Sequence, residues 1–470
     1  MNRKTAHYTA LLTALGLISG CSTTKPTEER AEEPIVALQW QVPANTSIAY
    51  ADSAALESLD WNTFFTHSGL QKLIHIALEN NRDLRVSVLN VERARALYRI
   101  QRADRLPSVS ANGTLARSGG GNAVDVEEYR AELGLAQYEI DLFGRVKQLS
   151  REALHTYFAA EEAQLSARLT LITEVADAYL TYAADSQVLD LAKQSEEDYA
   201  TQLEILQNRY DYGTASALEL SQTQAALEAS KASVATYTGQ VNRDINALTV
   251  LLGQPVEASL LVDLPDMALT GTLQIPEGLP SEVLLRRPDI REAEQTLLAA
   301  EANLKAARLA FFPSISLTGA VGSASGDLSD LFSSGTDVWS FTPAIRIPIF
   351  QGGSLIASRD ASKASRNISI ANYEKAIQVG FQDVSDALTL RATSAQALEA
   401  NRNRLKAMTD VLKMSETRYE AGEIDYYTLL DVRRDYYSAR QSVIEIARDV
   451  ESNNISLFRS LGGGFSSEVE

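Results

Sequence analysis

The spacing of apolar residues changes along the chain, and the changes mark out its elements. Between 145 and 211, Leu165, Leu169, Ile172, Ala176, Tyr179 and Ala183 recur at intervals of four and three. After a phase slip, Leu189, Ala192, Tyr199, Leu203, Leu206 and Tyr210 resume the pattern. Between 354 and 420, Leu398, Leu405, Leu412 and Tyr419 return every seven residues. Neither stretch contains proline, so each is expected to be one very long helix with a seam that packs on neighbouring helices. At ~1.5 Å per residue such a helix is a rod of about 100 Å, longer than a compact domain needs. Four shorter stretches have period two instead. In 107–117, Val109, Ala111, Gly113 and Leu115 alternate with Ser108, Ser110, Asn112 and Thr114. In 129–139, Ala131, Leu133 and Leu135 alternate with Arg130, Glu132 and Gly134. In 313–323, Ile315, Leu317, Gly319 and Val321 alternate with Ser314, Ser316 and Thr318, and in 339–349, Trp339, Phe341, Ile345 and Ile347 alternate with Ser340, Thr342 and Arg346. Eleven residues of alternation suit a tilted membrane strand, apolar to lipid and polar to a lumen. The same alternation also suits a half-buried soluble sheet.

These elements occur twice in the same order. Asn81-Arg82-Asp83-Leu84 is echoed by Arg287-Pro288-Asp289-Ile290, and Leu106-Pro107-Ser108 by Phe312-Pro313-Ser314, both at an offset of 206. Asp141-Leu142-Phe143-Gly144 parallels Pro348-Ile349-Phe350-Gln351-Gly352. Arg209-Tyr210-Asp211-Tyr212-Gly213 matches Arg418-Tyr419-Glu420-Ala421-Gly422, and Leu252-Gly253 matches Leu461-Gly462, both at 209. Repeat 1 is placed at 69–253: a helix over 69–105, strands 107–117 and 129–139, a long helix 145–211 and a return helix 214–251. Repeat 2 is placed at 281–462: a helix over 281–311, strands 313–323 and 339–349, a long helix 354–420 and a return helix 424–461. A Pro/Gly-rich linker, 254–280, joins them, and a tail, 463–470, follows. Four strands cannot close a barrel, and an open sheet edge is not tolerated in lipid. Membrane-spanning strands would therefore require several chains to share one barrel, and cyclic symmetry would gather their long helices into a tube.

The ends and the composition narrow the setting. Arg3 and Lys4, an apolar run over 8–18 and Ile18-Ser19-Gly20-Cys21 have the form of a secretory signal, with 1–20 as the signal peptide. The small residues end on the chain's only cysteine, which resembles a lipobox and makes Cys21 the expected lipidated first residue of the mature protein. By the same resemblance to lipoproteins, Ser22 after it implies the outer membrane, and 21–68 reads as a lipidated leader. One cysteine allows no internal disulfide or thiolate zinc cage, and four histidines with four methionines offer no dedicated metal site. A formal charge of −18 disfavours nucleic acid as a partner. No hydrolase, nucleotide or dinucleotide fingerprint is present; the glycine runs at 119–121 and 462–464 lack a following P-loop lysine. No catalytic residue, metal site or cofactor is therefore expected apart from the covalent lipid on Cys21.

Residues 284–318, together with the 138–145, 209–213 and 418–422 segments, resemble the signature of TolC/OprM-type outer-membrane efflux proteins, over about 69–462. The resemblance implies an α+β membrane protein: a homotrimer whose long helices form a periplasmic α-barrel, with four strands per chain in a shared twelve-stranded outer-membrane β-barrel. Pro343 and Pro348 fit the family's last strand. It implies the exit duct of a tripartite efflux pump, working with a periplasmic adaptor and an inner-membrane transporter of the resistance-nodulation-division type. The lipobox resembles the drug-efflux branch. By the same resemblance Gly213 and Gly422 are periplasmic tips where the adaptor docks. Asp431 matches the tunnel constriction, with Tyr427 one turn earlier, and Glu219 and Tyr419 match a closing contact between helices. A protein-secretion duct and a structural envelope lipoprotein remain the alternatives.

Overall fold

The computed structural model describes Val36 and residues 60–463, except 122, 262–263, 265–266 and 272–280. The expected signal peptide, Cys21, most of the leader, part of the linker and nearly all of the tail lie outside the described residues. The described elements run α1 (Trp61–Phe64), α2 (Ser68–Asn80), α3 (Arg82–Ala103), β1 (Val109–Gly120), β2 (Ala123–Ile140), α4 (Arg145–Asp211) and α5 (Ala217–Leu252). They continue with α6 (Pro288–Leu309), β3 (Ser314–Ser325), β4 (Asp337–Arg346), α7 (Ser354–Glu420) and α8 (Tyr426–Ser460). Short 3₁₀ turns occupy Ala258–Leu260, Ser281–Arg286 and Leu328–Asp330.

The first helix of each repeat is interrupted where a continuous one was expected. Asn81, at φ −61° and ψ 132°, separates α2 from α3, and its side chain accepts from Leu84 N at 2.8 Å while donating to Leu251 O at 2.9 Å. Its repeat partner Arg287 has nearly the same backbone, φ −63° and ψ 130°, and Pro288 follows as the first residue of α6. An extended residue that caps the next helix costs little at such a break, and proline at the first helical position lacks only a donor that would be unpaired anyway.

Helices α4 and α7, 67 residues each, run the length of the molecule. Near the sheet, α3, α4, α6 and α7 pack in that order; farther away the order becomes α5, α4, α8, α7. The main core lies where the two sets meet. There Phe64, Phe65, Leu70, Leu73 and Ile74 of the short helices pack against Val175, Tyr179, Leu248, Ile455 and Phe458. A smaller core of Tyr199, Leu206, Leu227, Tyr426 and Leu430 holds the far end.

The sheet is antiparallel in the order β1-β2-β3-β4. Its register gathers the apolar positions into rows: Ala111, Leu133, Val321 and Trp339 lie side by side, as do Val109, Leu135, Gly319 and Phe341. The same face carries Ile140, Ile315 and Ile345. Ile140 joins it because the register slips between Leu135 and Tyr138, where Gln137 has φ 35°. This bulge, which the alternation does not reveal, inverts the parity of the last residues of β2. The other face carries Asn112, Thr114, Arg130, Glu132, Thr318 and Thr342, with Arg130 ion-paired to Glu128 at 2.8 Å. Trp339, Phe341 and Ile345 are 78, 64 and 68% exposed in the single chain. β2 reaches six residues farther towards its N-terminus than the 129–139 span, and β4 stops at Arg346, short of Pro348. Pro343 sits on β4 opposite Leu317, and the outer side of β4 is unpaired within the chain.

Candidate functional site

The end of the helices farthest from the sheet is closed by two matching turns. After α4, Gly213 N donates to Tyr210 O at 2.8 Å and Thr214 N to Arg209 O at 2.7 Å. After α7, Gly422 N donates to Tyr419 O at 3.0 Å and Glu423 N to Arg418 O at 2.8 Å. Both glycines have φ +75°, the left-handed conformation that ends a helix in this pattern. Nothing lies within 4 Å of where a side chain would begin at either position, so both turns face open space.

The return helices are fixed by side-chain caps. Ser216 Oγ accepts from Glu219 N at 3.1 Å, and Glu219 Oε2 accepts from Ser216 N at 2.7 Å. Asp425 Oδ1 accepts from Thr428 N at 2.8 Å and from its hydroxyl at 2.6 Å, which holds the Asp425 carboxyl below its usual range.

Tyr426 is buried and its phenol is hydrogen-bonded to Thr223 Oγ1 at 2.8 Å, tying α8 to α5. Tyr427 is 58% exposed. One turn on, Asp431 is ion-paired with Arg434, and the three residues share an exposed stripe of α8. Opposite that stripe, Arg433 donates to Glu416 of α7 at 2.9 Å. Tyr437 donates to Asp198 of α4, and Arg440 to Gln194 at 2.9 Å.

Glu219 and Tyr419 lie near one another at this end, and no hydrogen bond joins them. Glu219 is engaged in its helix cap, and the Tyr419 hydroxyl accepts from Arg209 Nη1 at 3.0 Å. Burial raises the Tyr419 pKa; the Glu219 charge adds to this and Arg209 opposes it. The Arg209 motif carries no local pattern that ties it to Tyr419, 210 residues away. The repeat-equivalent Arg418 bonds locally to Glu423 at 3.1 Å, so a symmetric motif carries an asymmetric link.

A second polar centre lies at the middle of the helices. Arg287, its side chain 8% exposed, donates from Nε and Nη2 to Asp289 at 3.0 and 2.7 Å, from Nη2 to Asp383 at 3.0 Å and from Nη1 to Ser460 O at 3.1 Å. It therefore joins the start of α6 to α7 and to the end of α8. Burial alone would raise the Asp289 pKa, but the Arg287 bonds and charge outweigh it and hold the carboxyl low. Among the described residues, no group of histidine, cysteine or carboxylate side chains is placed to hold a metal ion. No described helix is long and apolar enough to cross a membrane.

Comparison with known proteins places this geometry. The profile of a family described as outer membrane efflux protein matches residues 73–254 and 279–463. The chain is 42% identical over 457 residues to the antibiotic efflux pump outer membrane protein ArpC of Pseudomonas putida, covering 96% of this chain and 94% of that one. It is 37% identical over 472 residues to outer membrane protein OprJ of Pseudomonas aeruginosa, covering 99% and 97%. The fold superposes on the open state of the Neisseria gonorrhoeae MtrE outer membrane channel with a TM-score of 0.84 at 36% identity, covering 93% of this chain and 97% of that one.

Proposed function

This chain belongs to the outer membrane efflux protein family and is an outer-membrane efflux channel, and from that premise we propose how its residues serve passage. The observation that carries the reading is the sheet: four strands with both edges unpaired in the chain and one apolar face, set at one end of rods about 100 Å long. Three chains close a twelve-stranded barrel, each β1 beside a neighbour's β4, and the helices continue it as a tunnel through the periplasm. Passage is passive, and the work comes from an inner-membrane transporter of the resistance-nodulation-division type coupled through a periplasmic adaptor.

The turns at Gly213 and Gly422 are the adaptor's docking tips; their openness supports this. Cys21 carries the lipid that anchors the leader to the outer membrane. Tyr427 and Asp431, on the exposed stripe of α8, narrow the tunnel, and three copies of Asp431 form an acidic ring. Arg434, ion-paired with Asp431, partly neutralises that ring. Opening the tip separates α7 and α8 from α4, with the Arg209–Tyr419 and Tyr437–Asp198 contacts as the latches to be broken.

Single-channel recording of the purified trimer tests this. Cation-selective steps are expected, with weaker selectivity in Asp431→Ala and stronger selectivity in Arg434→Ala, because a narrow low-dielectric opening magnifies fixed charge. Equal reversal potentials in all three proteins would remove the constriction from Asp431, and absence of steps even with adaptor present would overturn the duct.

A further inference from the structure

The ends of α3 and α6 repeat one another where the helices approach the sheet. At the offset of 206, Arg99 matches Lys305, Arg102 matches Arg308 and Leu106 matches Phe312. The backbone repeats as well: Leu106 N donates to Ala103 O at 2.8 Å and Phe312 N to Leu309 O at 3.1 Å. Each end therefore carries the same ladder on one face: an apolar residue nearest the sheet, a guanidinium four residues back and a second cation three residues farther. All six residues are exposed. Among the described residues no carboxylate pairs with Arg99, Arg102 or Arg308, and Lys305 meets Glu301 only at 3.9 Å. Asp104, beside the ladder of α3, accepts from Gln101 at 2.9 Å, and Ala310 stands in its place after α6. In a chain of formal charge −18 this is a local reversal of sign. The helix dipole favours a cation in the last turn, which accounts for Arg102 and Arg308 but not for the pair a turn deeper.

The ladder stands on the outside of the wall. α6 lies between α4 and α7, and both reach it at Asn303: its Nδ2 donates to Glu152 Oε1 at 3.0 Å, and Ser362 Oγ donates to its Oδ1 at 2.8 Å. Neighbouring helices of a closed tube converge on its inner side. At ~3.6 residues per turn, Lys305 and Arg308 point away from the side that Asn303 faces. Phe312 stacks on Phe143 at 5.1 Å, and Leu142 is 66% exposed. These side chains extend the apolar face of the sheet, which ends in Ile140 and Ile315, towards the helices. An exposed apolar band of this kind belongs against lipid, not against a water-filled lumen.

At ~1.5 Å per residue, the arginines lie about 6 Å below the apolar edge and the second cations about 10 Å below it. The headgroup layer of a bilayer is about 5–8 Å deep on each side, and long cationic side chains bridge the remainder. Depth, sign and continuity with the lipid face agree on one occupant. We propose that Arg99, Arg102, Lys305 and Arg308 form a collar that binds phospholipids of net negative charge in the periplasmic leaflet. The collar rests on the efflux-channel reading for its place at the membrane, and it goes beyond that reading by naming the lipid class that holds the duct at its depth.

Native mass spectrometry of the purified full-length trimer tests it. The micelles carry equal amounts of phosphatidylglycerol and phosphatidylethanolamine with matched acyl chains, and the ratio of the two lipids retained is read. Wild type is expected to favour phosphatidylglycerol roughly fivefold, the scale of one cation beside an anionic headgroup. Glutamine at all four positions is expected to bring the ratio near one. Arg99→Lys, Arg102→Lys and Arg308→Lys together keep the charge and should keep the preference, which separates charge from any disturbance of the fold. Arg404→Gln with Lys413→Gln, exposed on the far half of α7, should change nothing. A wild-type ratio near one would overturn the collar, as would an unchanged ratio in the glutamine variant or an equal loss in the lysine variant. Conductance recorded in parallel separates the two readings. A trimer that conducts but retains both lipids equally loses the collar and keeps the duct; one that selects phosphatidylglycerol and never conducts does the reverse.

Discussion

Asp244 of α5 is 8% exposed and lies beside Asp185 of α4, with its Oδ2 unpartnered. Burial first, and then the Asp185 charge, push its pKa from 3.8 to about 6; Arg243 opposes the shift. Asp185 is itself raised by burial, and Arg448 of α8 and Arg243 oppose it there. That displacement corresponds to about 3 kcal/mol of penalty on the charged form of Asp244. Because the folded state holds the proton on Asp244 more tightly than the unfolded chain does, this group's contribution to stability is greatest below pH ~4, falls as pH rises to about 6, and is flat above. Asp244→Asn replaces the protonated carboxyl with a neutral amide of the same shape. The variant should match wild type at pH 4 and exceed it at pH 7.5 by up to about 3 kcal/mol, with the Asp244 share of the slope between removed. Guanidinium unfolding of the detergent-solubilised protein, followed by helical circular dichroism from pH 4 to 8, reads this directly. A variant no more stable than wild type at pH 7.5, or one that keeps the wild-type slope, would refute the buried-pair reasoning.

Arg287→Ala leaves Asp289, Asp383 and Ser460 O without their shared donor; because the two carboxylates are 43 and 41% exposed, the loss should fall near the low end for a broken buried pair, about 3 kcal/mol, in the same unfolding assay. Arg287→Lys keeps the charge without the fork and should lose less. Gly422→Ala meets no atoms but forces a side chain to φ +75°, so it should cost about 1 kcal/mol with no change in helix content, read as a lower melting temperature.

The long helices were legible because nothing interrupts their spacing and proline is absent. The strands were legible because one face of each meets a different solvent, although a single extra residue at Gln137 inverted the parity where no composition signal announces it. The break at Asn81 carried a signal, an N-cap asparagine with Asp83 in the next turn, but the polar run read equally as a solvated helix face. Ser216 and Glu219 have the spacing of a reciprocal cap, and the structure uses Glu219 that way within the chain. The role of Arg287 was not legible. Its partners Asp383 and Ser460 lie 96 and 173 residues away, and no local pattern ties them together.

The two unpaired sheet edges make the chain's fate collective. A subunit whose β4 cannot meet its neighbour's β1 spoils a whole ring. In a cell making equal amounts of sound and damaged chains that mix freely, about one assembly in eight would be wholly sound. Mutations in β4 should therefore behave as dominant poisons, whereas changes confined to a solvated stretch of α4 should be masked by the sound copies beside them.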